Sequence, residues 1–160
     1  MENIVIKEFD GYDITTDTFA LDLQRRAIKD CTGCWCCWKK TPGRCANKDL
    51  DDFYHAFINT RKAIFFTEVS MGFISGKLKT LFDRMIPLYL PYTSYKTGES
   101  MHVPRYDQYP HIEVYYQGNF NSDLEQDLYK EYLDRVFYQF HVKEINIQPF
   151  SAFGERGAAI

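Results

Sequence analysis

The sequence predicts an α/β domain built on a mostly parallel sheet with helices on both faces. Residues 63–67 form a short apolar run without polar alternation, the pattern of a strand buried on both sides. Apolar residues at helical spacing follow it. After Cys45 the order strand, helix, strand, helix, strand recurs, which a parallel sheet requires.

The opening of the chain breaks this rhythm. Residues 3–9 read as extended, and residues 14–21 read as extended again, with Asp10 and Gly11 between. A parallel crossover needs about a dozen residues, and Asp-Gly between two β-prone runs is a hairpin signal. An antiparallel hairpin is therefore expected, with residues 3–9 pairing with 13–20 in place of the first strand–helix–strand unit. Asp49 then reads as the N-cap of a helix with Phe53, Ala56, Phe57 and Thr60 on one face. A loop at 68–75 follows the apolar strand. Leu78, Leu81, Phe82 and Met85 recur at helical spacing, and Pro87 ends that helix. Residues 87–110 carry four prolines and read as a long irregular loop, a length that usually marks function or an interface. Residues 111–116 are the next strand. Ser122 and Glu125 form a capping box before a helix with Leu124, Leu128, Tyr132 and Val136 along one stripe. Residues 143–147 are the last strand.

At 160 residues the chain suits one domain, 1–160, with a substantial core. A net charge of −3 argues against nucleic acid as a partner. Lys39, Lys40 and Arg44 make only a small basic cluster. No targeting segment is recognised, and no apolar run approaches about 18 residues, so a cytoplasmic chain without a membrane span is expected. Four of five cysteines fall at Cys31, Cys34, Cys36 and Cys37, with Cys45 just beyond. In a reducing compartment such a cluster points to a metal, a redox role or buried thiols.

The run from Cys31 through Cys45, followed by Lys48-Asp49, resembles a signature of the NADPH-dependent FMN reductase and iron–sulfur flavoprotein group, which has a flavodoxin-like fold. Gly72-Phe73-Ile74-Ser75-Gly76-Lys77-Leu78-Lys79-Thr80-Leu81-Phe82-Asp83-Arg84 is similar to that group's second block. Pro87-Leu88-Tyr89-Leu90-Pro91-Tyr92 and Arg105-Tyr106-Asp107-Gln108-Tyr109-Pro110 also fit it. The resemblance implies hydride transfer from NAD(P)H to FMN bound at the carboxyl ends of the parallel strands. It places the flavin ring against Glu68, Val69, Ser70, Met71, Gly72 and Phe73, with Gln117, Gly118 and Asn119 on the other side. The flavin phosphate would sit in a loop after the first strand, at a helix N-terminus.

The sequence departs from that pattern twice. No Gly-Ser-Pro-rich turn or first helix follows residues 3–9; Glu8, Asp10 and Asp13 stand there instead, three carboxylates that repel a phosphate. The usual Pro-Val-Tyr-like entry to the ring-side loop reads Glu68-Val69-Ser70. Cys31, Cys34, Cys37 and Cys45, spaced C-x2-C-x2-C-x7-C, resemble the ligands of that group's iron–sulfur cluster; zinc would accept the same set. The competing reading is a cysteine-rich loop packed against the sheet, with Cys36 a bystander and Trp35 and Trp38 covering the loop or an interface.

No catalytic side chain is assigned. The leading expectation is an NAD(P)H-dependent FMN reductase-like oxidoreductase with a degenerate flavin phosphate site. The alternatives are a non-catalytic partner subunit without flavin and an iron–sulfur electron carrier. A missing first helix would bare one sheet face, because the neighbours Phe65 and Phe66 point to opposite sides. An oligomer, with itself or with a full-length relative, is therefore expected.

Overall fold

A computed structural model describes residues 2–10 and 18–154. Strands β1 (Asn3–Lys7) and β2 (Phe19–Asp22) precede a short α1 (Cys36–Lys39) and α2 (Asp51–Ile58). β3 (Lys62–Ser70) turns back through β4 (Phe73–Ile74) into α3 (Gly76–Arg84). A 3-10 turn at Ile86–Leu88 leads to β5 (Tyr89–Ser94) and β6 (Met101–Pro104). Then come β7 (His111–Gln117), α4 (Asp123–Gln139), β8 (Ile145–Pro149) and α5 (Ser151–Gly154).

The main sheet has the order β2-β1-β3-β7-β8, and every pair along it is parallel. Counting only these five strands, the order is 2-1-3-4-5, that of the flavodoxin-like doubly wound fold. β4 pairs antiparallel with the end of β3, and β5 with β6 forms a separate antiparallel ribbon.

The expected N-terminal hairpin is not formed. β1 and β2 run parallel, with Ile4 opposite Phe19 and Lys7 opposite Asp22. The second strand starts at Phe19 and not near residue 14, so residues 8–18 are available as the connection, close to the length a crossover needs. The expectations of a turn at Asp10-Gly11 and of no first helix fall largely on residues 11–17, outside the described residues.

Residues 87–110 also differ from expectation, because much of this stretch is the β5–β6 ribbon. Pro91 and Pro104 lie within its strands, which a two-stranded ribbon tolerates since each strand has an unpaired edge. α2 starts at Asp51, and Asp49 is drawn away from capping it by the Arg84 guanidinium.

The core lies mainly on one face of the sheet. Phe53 and Phe57 of α2, Leu78 and Leu81 of α3, and Tyr129, Leu133 and Phe137 of α4 pack on Ile4, Ile6, Phe65 and Val114. On α4 the buried stripe is thus Tyr129-Leu133-Phe137, and Leu124 and Leu128 are exposed. The opposite face carries Val5, Ile64, Phe66 and Tyr115, packed with Phe9, Phe150 and Phe153. Phe65 and Phe66 do face opposite sides. Among the described residues no bare apolar face is found there: Val5 and Phe66 are 0% exposed, and Ile64 and Tyr115 are 3% exposed. Burying each such side chain contributes about 1.5–3 kcal/mol, so closure within one chain removes the main force assumed for association.

Candidate functional site

The strand order reverses between β1 and β3, and in open α/β sheets this reversal opens a crevice at the carboxyl ends of the strands. Three segments border it: residues 8–10 after β1, 68–75 around the β3–β4 turn, and 117–121 after β7.

The β3–β4 turn is a two-residue hairpin. Val69 pairs with Ile74 and Ser70 with Phe73, leaving Met71 and Gly72 at the tip. Both tip residues have positive φ, 51° and 74°, as a type I′ turn demands. Met71 is fully exposed. Gly72 is pressed against α4, since a Cβ there would lie 2.8 Å from Glu125 Oε2. Glu125 itself is held by the Asn121 backbone N–H at 2.8 Å, one residue before the N-cap Ser122 that a capping box would engage. After β7, the neighbour of β3, Gly118 has φ 130°, and a Cβ on it would lie 2.8 Å from Val69 Cβ. The two loops expected to hold one ligand are therefore in direct contact.

Glu8 has a role that its sequence position did not reveal. Its side chain turns inward at the strand reversal and is buried. The carboxylate accepts the Glu68 backbone N–H at 2.9 Å and the Ser75 hydroxyl. Ser75 Oγ in turn accepts the Leu78 N–H at 3.0 Å, making it the N-cap of α3, as expected. Burial pushes the Glu8 carboxyl above its ordinary range, opposed by the bonds from Ser75 and Glu68. The one available signal was an acid directly after an apolar strand.

Asp10 is exposed but not free. Its bond from Lys7 holds its carboxyl below the usual range, and Arg25 adds a contact at 3.2 Å. Of the three acids expected to repel a phosphate, one is turned into the interior and one is ion-paired. Asp13 lies outside the described residues.

One cavity adjoins the hairpin and a second lies between the segment after β2 and the start of α3. The first, about 620 Å³, lies against α4 and is lined by Met71, Phe73, Leu128, Tyr132 and Arg135 among others. The other, about 380 Å³, is lined by Gln24, Arg25, Arg26 and Lys77 together with backbone near the start of α3. Its basic groups are engaged: Arg25 with Asp10 and Asp22, Arg26 with Asp52, and Lys77 with Gln24. A third cavity, about 740 Å³, sits by His111 at the opposite end of β7 and contains none of the expected site residues.

Of the ring-side set, Glu68, Val69 and Gly72 are half-buried, while Ser70, Met71, Phe73, Gln117, Gly118 and Asn119 are exposed. All nine lie at or just beyond the carboxyl ends of the adjacent strands β3 and β7. The cysteines lie elsewhere, in the loop around α1, and all five are free. Among the described residues no group of three or more His, Cys, Asp or Glu is arranged to hold a metal, so the set Cys31, Cys34, Cys37 and Cys45 gains no support as a cluster site. Left-handed backbone at Trp35 sets Cys34 beside Cys36 instead. Among the described residues no helix is long and apolar enough to cross a membrane.

No family model and no curated protein matches the chain by sequence. Solved structures do match it in fold. Smu.1420 from Streptococcus mutans UA159 aligns over 92% of this chain and 86% of its own, at 11% identity and a TM-score of 0.60. An azoreductase from Bacillus anthracis str. Sterne aligns over 98% and 91%, at 10% identity and a TM-score of 0.56. An FMN-dependent NADH-azoreductase from Bacillus anthracis str. Ames Ancestor, solved in complex with FMN, aligns over 95% and 89%, at 13% identity and a TM-score of 0.56. These likenesses establish an α/β flavodoxin-like fold.

Proposed function

We propose that this chain is a flavodoxin-fold NAD(P)H-dependent flavin oxidoreductase whose FMN site grips the ring far better than the phosphate. The observation that carries the reading is the reversal of strand order between β1 and β3, with the β3–β4 hairpin and the Gly118 loop packed together on the neighbouring β3–β7 side. The FMN-bound azoreductase of similar fold supports it. When bound, FMN supplies the hydride chemistry. The chain's part is to orient and shield the ring. Met71 and Phe73 offer apolar contact, the Gln117 and Asn119 side chains offer amide hydrogen bonds, and the close approach at Gly118 sets the width between the loops.

The weak hold on phosphate follows from Glu8. A buried carboxylate takes up the Glu68 N–H and the Ser75 hydroxyl, two donors beside the crevice that an anionic ligand would otherwise use. The same observation favours a second reading, a non-catalytic subunit that has lost flavin altogether.

Oxidation of NADH and NADPH with added FMN separates them. Turnover that falls in a Gly118→Val variant of unchanged circular dichroism supports the oxidoreductase. Absence of both turnover and flavin binding supports the non-catalytic subunit.

A further inference from the structure

We propose that Cys34 and Cys36 form a reversible disulfide, a thiol–disulfide exchange site on the surface of the cysteine loop. The site stands apart from the strand-reversal crevice, and the proposal does not depend on the flavin reading. Both thiols are free, with Cys34 exposed and Cys36 half-buried. The residue between them, Trp35, has φ 59° and ψ 11°. The separation of two Cα atoms flanking a residue depends only on that residue's dihedrals. Helical values of either hand bring them to about 5.4 Å, by the ~2.3 Å radius and ~1.5 Å rise of the helix. Disulfides span Cα atoms about 4.4–6.8 Å apart, so the backbone already has the required spacing. An extended residue at position 35 would carry the two thiols to opposite sides. The Cys34 and Cys36 side chains lie beside each other.

The pair is chemically unequal. Cys34 is open to solvent, whereas Cys36 is half-buried beside it. An external disulfide reaches the exposed Cys34 first, which makes Cys34 the attacking group and Cys36 the resolving one. Lys40 faces Cys36, and Lys39 lies over the Trp35 ring, 5.3 Å from its centre. Such surroundings suit a small disulfide that carries carboxylates.

The Cys34 thiolate attacks one sulfur of the external disulfide, its S–S bond breaks, and one thiolate leaves. The Cys36 thiolate then attacks Cys34 Sγ in the mixed disulfide and expels the second. Two protein thiols are oxidised, one external disulfide is reduced to two thiols, and the two cysteine protons pass to the leaving thiolates.

The test uses the reduced full chain, flavin-free, with excess oxidised glutathione as the probe, followed by alkylation and mass mapping. Two of the five thiols should become unreactive, with residues 34–36 closed as one ring and Cys31, Cys37 and Cys45 all labelled. Cys36→Ser should retain one glutathione on Cys34, and Cys34→Ser should take up none in the same time. A link between any other pair, a glutathione adduct persisting in the wild type, or five unreacted thiols would overturn the proposal. The wild-type map decides it even where a variant misfolds.

Discussion

The buried Glu8 and the half-buried Asp49 respond to pH with opposite signs. Glu8 has a raised carboxyl pKa because burial disfavours its charge. Its stabilising contribution is fullest below the ordinary carboxylate value and is lost as pH rises through the raised one. Glu8→Gln, which cannot ionise, should flatten that part of a urea-midpoint profile between acid and neutral pH. Asp49 behaves in reverse, because its bond from Arg84 lowers its pKa to about 2 from 3.8. Its contribution is present above 3.8 and lost as pH falls toward 2. Arg84 is buried, and it also donates to the Lys29 carbonyl. Arg84→Ala should therefore cost about 3–5 kcal/mol in denaturant unfolding, the range for stripping one partner from a buried pair. Ser75→Ala removes the α3 cap and should cost about 1–2 kcal/mol. At this scale the sequence showed Ser75 as a cap. It could not show that Glu8 and Asp49 turn inward, because their partners lie 60 and 35 residues away.

Two glycines allow a comparison at the scale of the elements. Gly118 has a left-handed backbone and no room for a Cβ, whereas Gly76, in the first turn of α3, has nothing within 4 Å of one. Gly118→Ala should destabilise by more than about 1 kcal/mol and shift the loop that faces Val69. Gly76→Ala should raise stability by about 0.4–1 kcal/mol. Equal effects of the two on the thermal midpoint would show that the two loops do not meet as described. Strand and helix identities at 62–85 were legible because period and caps agree there. The β5–β6 ribbon was obscured by Pro91 and Pro104, which read as loop signals until the ribbon's free edges are known. On α4 a sparse apolar pattern allowed two stripes, and packing on Phe65 and Val114 selected the one through Leu133.

For the molecule as a whole, the alternation of strands and helices predicted the parallel sheet, while the direction of its first pair was misread from a two-residue turn signal. That sheet closes its second face within one chain, so the proposal of an oligomer now rests on the exposed aromatic residues Trp35, Tyr92 and Tyr95. Sedimentation tests it: a Trp35→Ala, Tyr92→Ala double variant should shift a dimer toward monomer, and a wild type that sediments as a monomer ends the proposal. Under the proposed reading, flavin binding depends on the crevice, where Glu8 has taken the donors at the strand reversal. A working phosphate site supplies charge-assisted bonds of about 1.5–3 kcal/mol each, so several of them would favour FMN over riboflavin by orders of magnitude. Fluorescence titration of the protein with FMN and with riboflavin measures that difference directly. Dissociation constants within about tenfold of each other are expected, a gap under about 1.4 kcal/mol. FMN binding a thousandfold or more tighter than riboflavin, about 4 kcal/mol, would contradict the proposed reading.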